Sequence, residues 1–341
     1  MKAAVVEAFG TPLVLREWDT PPLGASQILV KAEACGVCHT DLHAARGDWP
    51  VKPSPPFIPG HEGVGLVAAV GSGVTNVKEG DRVGVPWLNL ACGHCEHCLA
   101  VWETVCGSAQ FGDHTVYGGF ADYVLADPSY VARIPDGLSA VAAASVICAG
   151  VTTYKGTKEA ATKPGDWVVA SGAGGLGHLA IQYAKAMGLH VCAVDIDAGK
   201  LAHALLMGAD VTVNARLPDA VEQVKKATAG GAHGVLIKAP SVAAFKQGVA
   251  MTRKRGTCVL TGLSPPSFPS RCLTWCSTAS RCVARWWVSG KTWPRLWLLP
   301  PKAKSRPALN GNHCQPSTRY LTDVSVVGWR QGLYWILVKP E

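Results

Sequence analysis

The sequence has no apolar run of the kind that targets or anchors a chain. Met1–Val6 is cut short by Glu7, and the long uncharged stretch Gly137–Tyr154 is rich in Ala, Ser and Thr. The first is too short for a secretory signal, and the second is too weakly apolar to span a bilayer. A cytoplasmic setting with no membrane partner is the expectation. Most of the chain also lacks a surplus of either charge. Residues 1–264 carry 21 Lys/Arg against 22 Asp/Glu, although the net charge of the whole chain is +8. The imbalance sits in residues 265–341, with 11 basic and 2 acidic side chains. A uniform basic surface for nucleic acid therefore finds no support, and no nucleic-acid motif accompanies the basic segment. Global disorder is excluded too, since 48% of the 341 residues are hydrophobic and the length suffices for two ordinary domains.

Cysteine is plentiful, and in a cytoplasmic protein its 13 copies are expected to be thiols or metal ligands. Cys92, Cys95, Cys98 and Cys106 follow C-x2-C-x2-C-x7-C, with Gly93, His94, Glu96 and His97 between them as loop residues. One short loop at that spacing wraps four thiolates around a single ion. Four soft ligands with no open position suit a structural Zn²⁺. A bacterial ferredoxin run has a closer fourth cysteine followed by proline, which this loop lacks. Buried free cysteines or disulfides are the plainer alternative, and the ligand spacing argues against them.

The first 135 residues read as short strands separated by Gly, Pro and Asp: Ala3–Val6, Gln27–Ala34, Gly65–Val70 and Arg82–Val85. From about Ser139 the pattern changes to Ala-rich helical stretches alternating with β-branched runs. Trp167–Ala170, Val191–Val194, Val211–Val213, Val235–Ile237 and Cys258–Leu260 are spaced by helix-length segments, which predicts a doubly wound parallel sheet.

Within the first part, Cys35-Gly-Val-Cys38-His39-Thr40-Asp41-Leu42-His43 gathers two thiols, a hydroxyl and two imidazoles. Gly60-His61-Glu62-Gly63 sets an imidazole beside a carboxylate, and Cys148 follows an apolar helix-like stretch. One His and two Cys make a three-ligand zinc site with a fourth position open to substrate. A lone His or Cys is more often a packed core residue. Several together, beside a separate four-thiolate loop, favour catalytic zinc.

Ser171-Gly172-Ala173-Gly174-Gly175-Leu176-Gly177 follows the strand Trp167–Ala170 and opens a helix whose Leu176, Leu179, Ala180, Tyr183, Ala184 and Met187 share one face. Gly172, Gly174 and Gly177 fit G-x-G-x-x-G, with phosphate expected at the helix N-terminus. Asp195 ends the next strand, 18 residues past Gly177, and can accept from a ribose diol. Its charge repels a 2′-phosphate, and Ile196 follows where an Arg would favour one, so NAD is expected over NADP.

Together the motifs CGVCHTD, GHEGVG, the four-cysteine loop, GAGGLG and VDID resemble the zinc-containing alcohol dehydrogenases of the medium-chain dehydrogenase/reductase superfamily, especially bacterial tetrameric forms, from Met1 to about Leu263. The resemblance implies a GroES-like β-rich catalytic domain over 1–150 and an NAD-binding Rossmann domain over 151–264. It implies that Cys38, His61 and Cys148 hold the catalytic zinc beside Glu62, and that Thr40 and His43 relay the substrate proton. His39 matches a position near the cofactor pyrophosphate and Thr152 one near the nicotinamide. Gly172, Gly174, Gly175, Leu176 and Gly177 form the phosphate turn, while Asp195 and Lys200 hold the adenosine ribose. Trp49 and Trp87 match residues lining a narrow substrate pocket, and either suits core packing equally well. One catalytic and one structural zinc per chain, NAD, a small primary or secondary alcohol or its aldehyde or ketone, and a homotetramer complete the expectation. Related zinc dehydrogenases of polyols or aromatic alcohols, and an inactive zinc- and NAD-binding protein, are the alternatives.

Residues 265–341 depart from the family. They hold 7 of the 12 Trp and 9 of the 23 Pro, and Arg271–Asn312 has no period of 3.6 or 2.0. Trp286-Trp287 and Trp293–Trp297 would expose large apolar surface unless covered. Translation from a shifted reading frame explains such a segment, and the nucleotide sequence over codons 255–275 tests this. Only Ser325-Val-Val-Gly328 faintly continues the match. Lys238-Ala239-Pro240 is also unusual, because it falls where a strand should end near the cofactor.

Overall fold

Short strands split by turn residues build the first half of the chain, as their spacing predicts. The computed structural model describes residues 1–48, 52–262, 281–284, 326–330 and 333–336. Trp49, Trp286-Trp287 and Trp293–Trp297 lie outside the described residues, as does most of the segment after Gly262. The chain forms two units, one running Met1–Cys148 and the other starting at Ala149.

In the first unit β1 (Lys2–Val5) and β2 (Val14–Glu17) pair antiparallel. The main sheet is built on β3 (Ile28–Val37), β4 (Gly63–Val70) and β5 (Arg82–Val85). A small ladder joins β6 (Leu88–Leu90) to β7 (Gln110–Phe111), while β8 (Tyr123–Ala126) and β9 (Ala132–Arg133) pair with β3 and β5. Ile28, Val30, Val67, Val83, Val85 and Val124 pack into one buried cluster. Burying each such side chain is worth roughly 1.5–3 kcal/mol. Helix α1 (His39–Arg46) follows β3 directly and ends on Gly47, whose φ of 68° gives the left-handed cap. A one-turn helix α2 (Glu96–Leu99) lies inside the four-cysteine segment, where sequence predicts only loop. Helix α3 (Ala140–Ser145), capped by Ser139, runs into a π-helical turn over Val146–Gly150 that carries Cys148. Such turns recur at functional sites.

The second unit opens with α4 (Val151–Glu159) and alternates strands with helices: β10 (Trp167–Ser171), α5 (Gly175–Ala186), β11 (His190–Asp195), α6 (Ala198–Leu206), β12 (Val211–Asn214), α7 (Ala220–Ala227), β13 (Ala232–Ile237), α8 (Val242–Met251) and β14 (Thr252–Leu260). With β15 (Arg281–Ala284) they form a parallel sheet in the order β12-β11-β10-β13-β14-β15. Successive side chains of one strand enter different cores. Val168, Ala170, Val191, Ala193 and Leu236 pack with Ile181 and Ala184 of α5 and Ala204 of α6. Val169, Cys192, Val194, Val235 and Ile237 pack with Val224 of α7 and Phe245 and Met251 of α8. Burial on both faces explains why these strands read as unbroken apolar runs. β14 starts earlier than its apolar run Cys258–Leu260, because the charged residues Arg253–Arg255 also join the strand.

Three described strands follow Gly262, and one of them, β15, falls in Arg271–Asn312, where the sequence shows no period. β15 extends the parallel sheet, while β16 (Val326–Arg330) and β17 (Leu333–Ile336) return to the first unit, where β17 pairs antiparallel with β3.

Candidate active site and metal centres

Among the described residues, two cysteine-containing clusters of metal-ligand chemistry stand in the first unit, and a third group, Asp41, His61 and Asp113, shares His61 with one of them. Cys38 is the N-cap residue of α1, and its backbone N–H donates to the Asp41 carboxylate at 2.7 Å. This local bond turns the chain so that the Cys38 thiol meets three buried groups. Cys38, His61, Glu62 and Cys148 bring one ligand atom each within 4.8 Å of one another. His61 precedes β4, and Cys148 arrives on the π-helical turn. Cys35, the other thiol of the motif, is buried in β3 with its Sγ 3.5 Å from the Gly36 carbonyl, outside the cluster.

Electrostatics in this cluster follow from burial. Glu62 is fully buried, and neither of its carboxylate oxygens has a hydrogen-bond partner among the described residues. Burial, then the Cys38 thiolate, pushes its pKa well up. Cys38 is drawn well below an ordinary thiol, first by its hydrogen bond with Cys148 and then by His61, whereas Cys148 is pushed up. His61 Nδ1 lies 2.8 Å from Asp41 Oδ1 and 3.0 Å from Asp113 Oδ2. Burial opposes its charge, yet Asp41, Cys148 and Asp113 outweigh that and hold the imidazolium above its usual pKa. Burial raises Asp41 to about 6 against the pull of His61. Two thiols, an imidazole and an unsatisfied carboxylate with their donor atoms converging lack one partner, a divalent cation.

The second cluster is Cys92, Cys95, Cys98 and Cys106, again within 4.8 Å of one another. Sulfurs at about 2.3 Å from a tetrahedral zinc stand about 3.8 Å apart. The Cys92–Cys98 and Cys95–Cys98 sulfur separations are 3.8 and 3.5 Å. Backbone N–H groups of Cys95 and Ser108 donate to the sulfurs of Cys92 and Cys106, at 3.4 Å each. Donation from the His94 and Cys95 amides brings Cys92 down to about 6, which favours the thiolate a metal requires. The spacing, the N–H donors and the free thiols all fit zinc.

Around the first cluster, Thr40 is buried with its Oγ1 3.6 Å from Cys38 Sγ, and His43, half-buried, has its Nδ1 3.0 Å from Asp48. His39 is exposed at the start of α1. Trp87 is buried and stacks on Phe111 with ring centroids 3.9 Å apart. Asp113 and Gly36 carry no signal in a single sequence. Asp113 takes a left-handed φ of 64° and also holds His114 Nδ1 at 2.6 Å, while Gly36 leaves the room that Glu62 occupies. Asp41 stood in the quoted motif, but only the fold brings it to His61.

The second unit forms the glycine turn. Gly172 has φ of 93°, and its N–H donates to the Val194 carbonyl at 2.8 Å. A Cβ on Gly177 would meet the Gly172 carbonyl oxygen at 2.1 Å, whereas a Cβ on Gly174 would have nothing within 4 Å. One glycine turns the chain, one lets helix pack on strand, and one leaves open space for a phosphate. Helix α5 starts at Gly175 with Gly174 as its N-cap residue, and Leu176 accepts a hydrogen bond from Thr153. Asp195 is buried and accepts from the backbone N–H of Ala173 at 2.7 Å and of Asp197 at 3.0 Å, which ties the β11 end to the turn. Lys200 is exposed on α6, and the buried Thr152 hydroxyl has no partner among the described residues. This turn and its carboxylate fit a dinucleotide.

The chain matches the family description "Alcohol dehydrogenase GroES-like domain" over residues 24–136 and "Zinc-binding dehydrogenase" over 175–297. An alcohol dehydrogenase of Moraxella sp. is 61% identical over 269 residues, 79% of this chain and 79% of that protein. The chain belongs to the zinc-dependent alcohol dehydrogenases. Among solved structures, the alcohol dehydrogenase of the archaeon Aeropyrum pernix superposes with a TM-score of 0.80 at 30% identity, over 88% of this chain and 89% of that one. A structure described as an NAD-dependent alcohol dehydrogenase gives a TM-score of 0.80 at 28% identity, over 87% and 88% of the two chains. This membership accounts for both clusters and for the glycine turn. It makes the chain an oxidoreductase acting on alcohols. The "Zinc-binding dehydrogenase" match continues to residue 297, past the point near Leu263 where the motifs cease. Among the described residues no helix is long and apolar enough to cross a membrane.

Proposed function

We propose that this zinc-dependent dehydrogenase interconverts small primary or secondary alcohols with their aldehydes or ketones, using NAD⁺ and NADH. The convergence of Cys38, His61 and Cys148 beside an unsatisfied buried Glu62 carries this reading. These three residues would hold the catalytic ion, and Cys92, Cys95, Cys98 and Cys106 would hold a second, structural one. When bound, zinc supplies a Lewis acid for the alcohol oxygen and the nicotinamide supplies the hydride acceptor. The protein's own part is to aim and to move protons. Asp41 and Asp113 engage Nδ1 of His61, which leaves Nε2 as the ligand atom. In this reading Thr40, buried beside Cys38, takes the alcohol proton, and His43, nearer solvent, passes it on. In the second unit the open face at Gly174 and the start of α5 receive the pyrophosphate, and the Asp195 carboxylate accepts from a ribose diol. That carboxylate, followed by Ile196, supports NAD over NADP. Thr152 and Lys200 complete the cofactor contacts of the second unit. A cytoplasmic homotetramer is part of the same reading, and light scattering of the purified chain tests the assembly.

NADH absorbance with ethanol and a panel of alcohols tests the activity. Cys38→Ser is expected to abolish turnover while the chain keeps one zinc, at the four-thiolate loop. Full turnover by a Cys38→Ser chain with one zinc rules the assignment out.

A further inference from the structure

Lys238 is the unusual residue that the family reading does not absorb. It is the first residue past β13, whose neighbour in the sheet is β10. The strand order reverses between these two, with β10-β11-β12 running to one side and β13-β14-β15 to the other. In an open parallel sheet the ligand crevice lies beyond the strand ends at such a switch point. The Lys238 N–H donates to the Ser171 carbonyl at 2.8 Å, and Ala239 N–H to the same oxygen at 3.3 Å. A Cβ on Gly172 would stand 2.9 Å from Ala239 N, and one on Gly262 only 2.7 Å from the Lys238 carbonyl oxygen. Lys238 is thus clamped between the glycine turn and the end of β14.

Its Nζ is buried with no hydrogen-bond partner among the described residues. Burial alone pulls its pKa down to about 7. An ammonium taken from water without a partner is strongly destabilising, and a fold tolerates it where a ligand supplies the missing charge. Asp195 on β11 marks the adenosine side of the glycine turn, so the rest of a dinucleotide runs toward β13. A lysine, with three donors on a compact charge, suits phosphate and ribose oxygens.

We propose that Lys238 binds the dinucleotide, its ammonium donating to the phosphate–ribose unit on the nicotinamide side of the pyrophosphate. This rests on the dinucleotide-binding reading of the second unit. The test is equilibrium binding of NADH, ADP-ribose and AMP to the full chain, by fluorescence and calorimetry, in wild type, Lys238→Met and Lys238→Thr. Both variants should weaken NADH and ADP-ribose about tenfold or more, the size of a hydrogen bond to a charged group. AMP, which lacks the second phosphate and ribose, should stay within about twofold. Ligand-free Lys238→Met should melt above wild type, since it removes a buried unpaired charge. Unchanged affinity for NADH and ADP-ribose overturns the proposal, and so does an equal loss for all three ligands, which would report a collapsed crevice. A wild-type chain that binds none of the three overturns the dinucleotide reading first, and the Lys238 assignment with it.

Discussion

Gly36→Ala puts the buried Glu62 carboxylate to the test. A Cβ built on Gly36 falls 1.8 Å from Glu62 Oε2, 2.8 Å from its Cδ and 3.0 Å from its Cβ. To regain ordinary contact at 3.4 Å the carboxylate oxygen must retreat by about 1.6 Å. Glu62 is fully buried beside Cys38, His61 and Cys148, so there is no solvent for it to swing into. Overpacking of this kind costs about 1–3 kcal/mol. For a domain of 150 residues or so, that is a fall of a few degrees or more in melting temperature. The displaced oxygen also disturbs the one metal cluster it touches and leaves the four-thiolate loop alone. Calorimetric melting, with zinc release to a chromogenic chelator followed in time, reads both effects. One zinc per chain should leave faster in Gly36→Ala, and the slower one should be unchanged. Wild-type melting together with wild-type release of both ions would refute the claim that Gly36 exists to make room for Glu62.

Cys98→Ser should lower the zinc content by one ion per chain and lower the melting temperature, because a structural site holds its loop only through the metal; elemental analysis and calorimetry check it. Gly177→Ala should abolish NADH binding, read as loss of fluorescence enhancement. Its Cβ would collide at 2.1 Å with the Gly172 carbonyl, a main-chain atom of the same turn. The lysine at the β13 end gives a pH effect of definite sign. With Lys238 held near 7 by burial, the unfolded chain binds more protons between pH 7 and the ordinary lysine value of 10.5. Ligand-free stability from this group therefore rises with pH across that window, by about 1.4 kcal/mol per pH unit. Denaturant titrations at several pH values should show this rise in wild type and its absence in Lys238→Met.

The parts of the site that are local in sequence were legible, and the parts assembled by folding were not. Cys92–Cys106 and Gly172–Gly177 each lie within one loop or turn, so spacing alone shows their chemistry. The doubly wound sheet was equally plain, since strands covered on both faces are unbroken apolar runs. Cys38, His61 and Cys148 came from resemblance, because the outer two are 110 positions apart and no spacing rule links them. Asp113 escaped notice because its link to His61, 52 residues away, exists only once β4 and the loop after β7 meet. Gly36 escaped because its role is an absent Cβ. In the final segment β15 is illegible because it lies within the aperiodic Arg271–Asn312, and of the β16–β17 pair only Ser325–Gly328 carries a sequence signal.

The two ligand sets differ in reach along the chain, and this sets an order on metal loading during synthesis. The loop from Cys92 to Cys106 is complete as soon as Cys106 has emerged, and closing so short a loop takes little entropy. The Cys38–His61–Cys148 set waits for Cys148, 42 positions further along the chain. A nascent chain therefore acquires its bracing ion well before the position that meets substrate can exist. A chain interrupted anywhere between Cys106 and Cys148 carries zinc and has no reactive site, and metal content on its own says nothing about whether such a chain is competent.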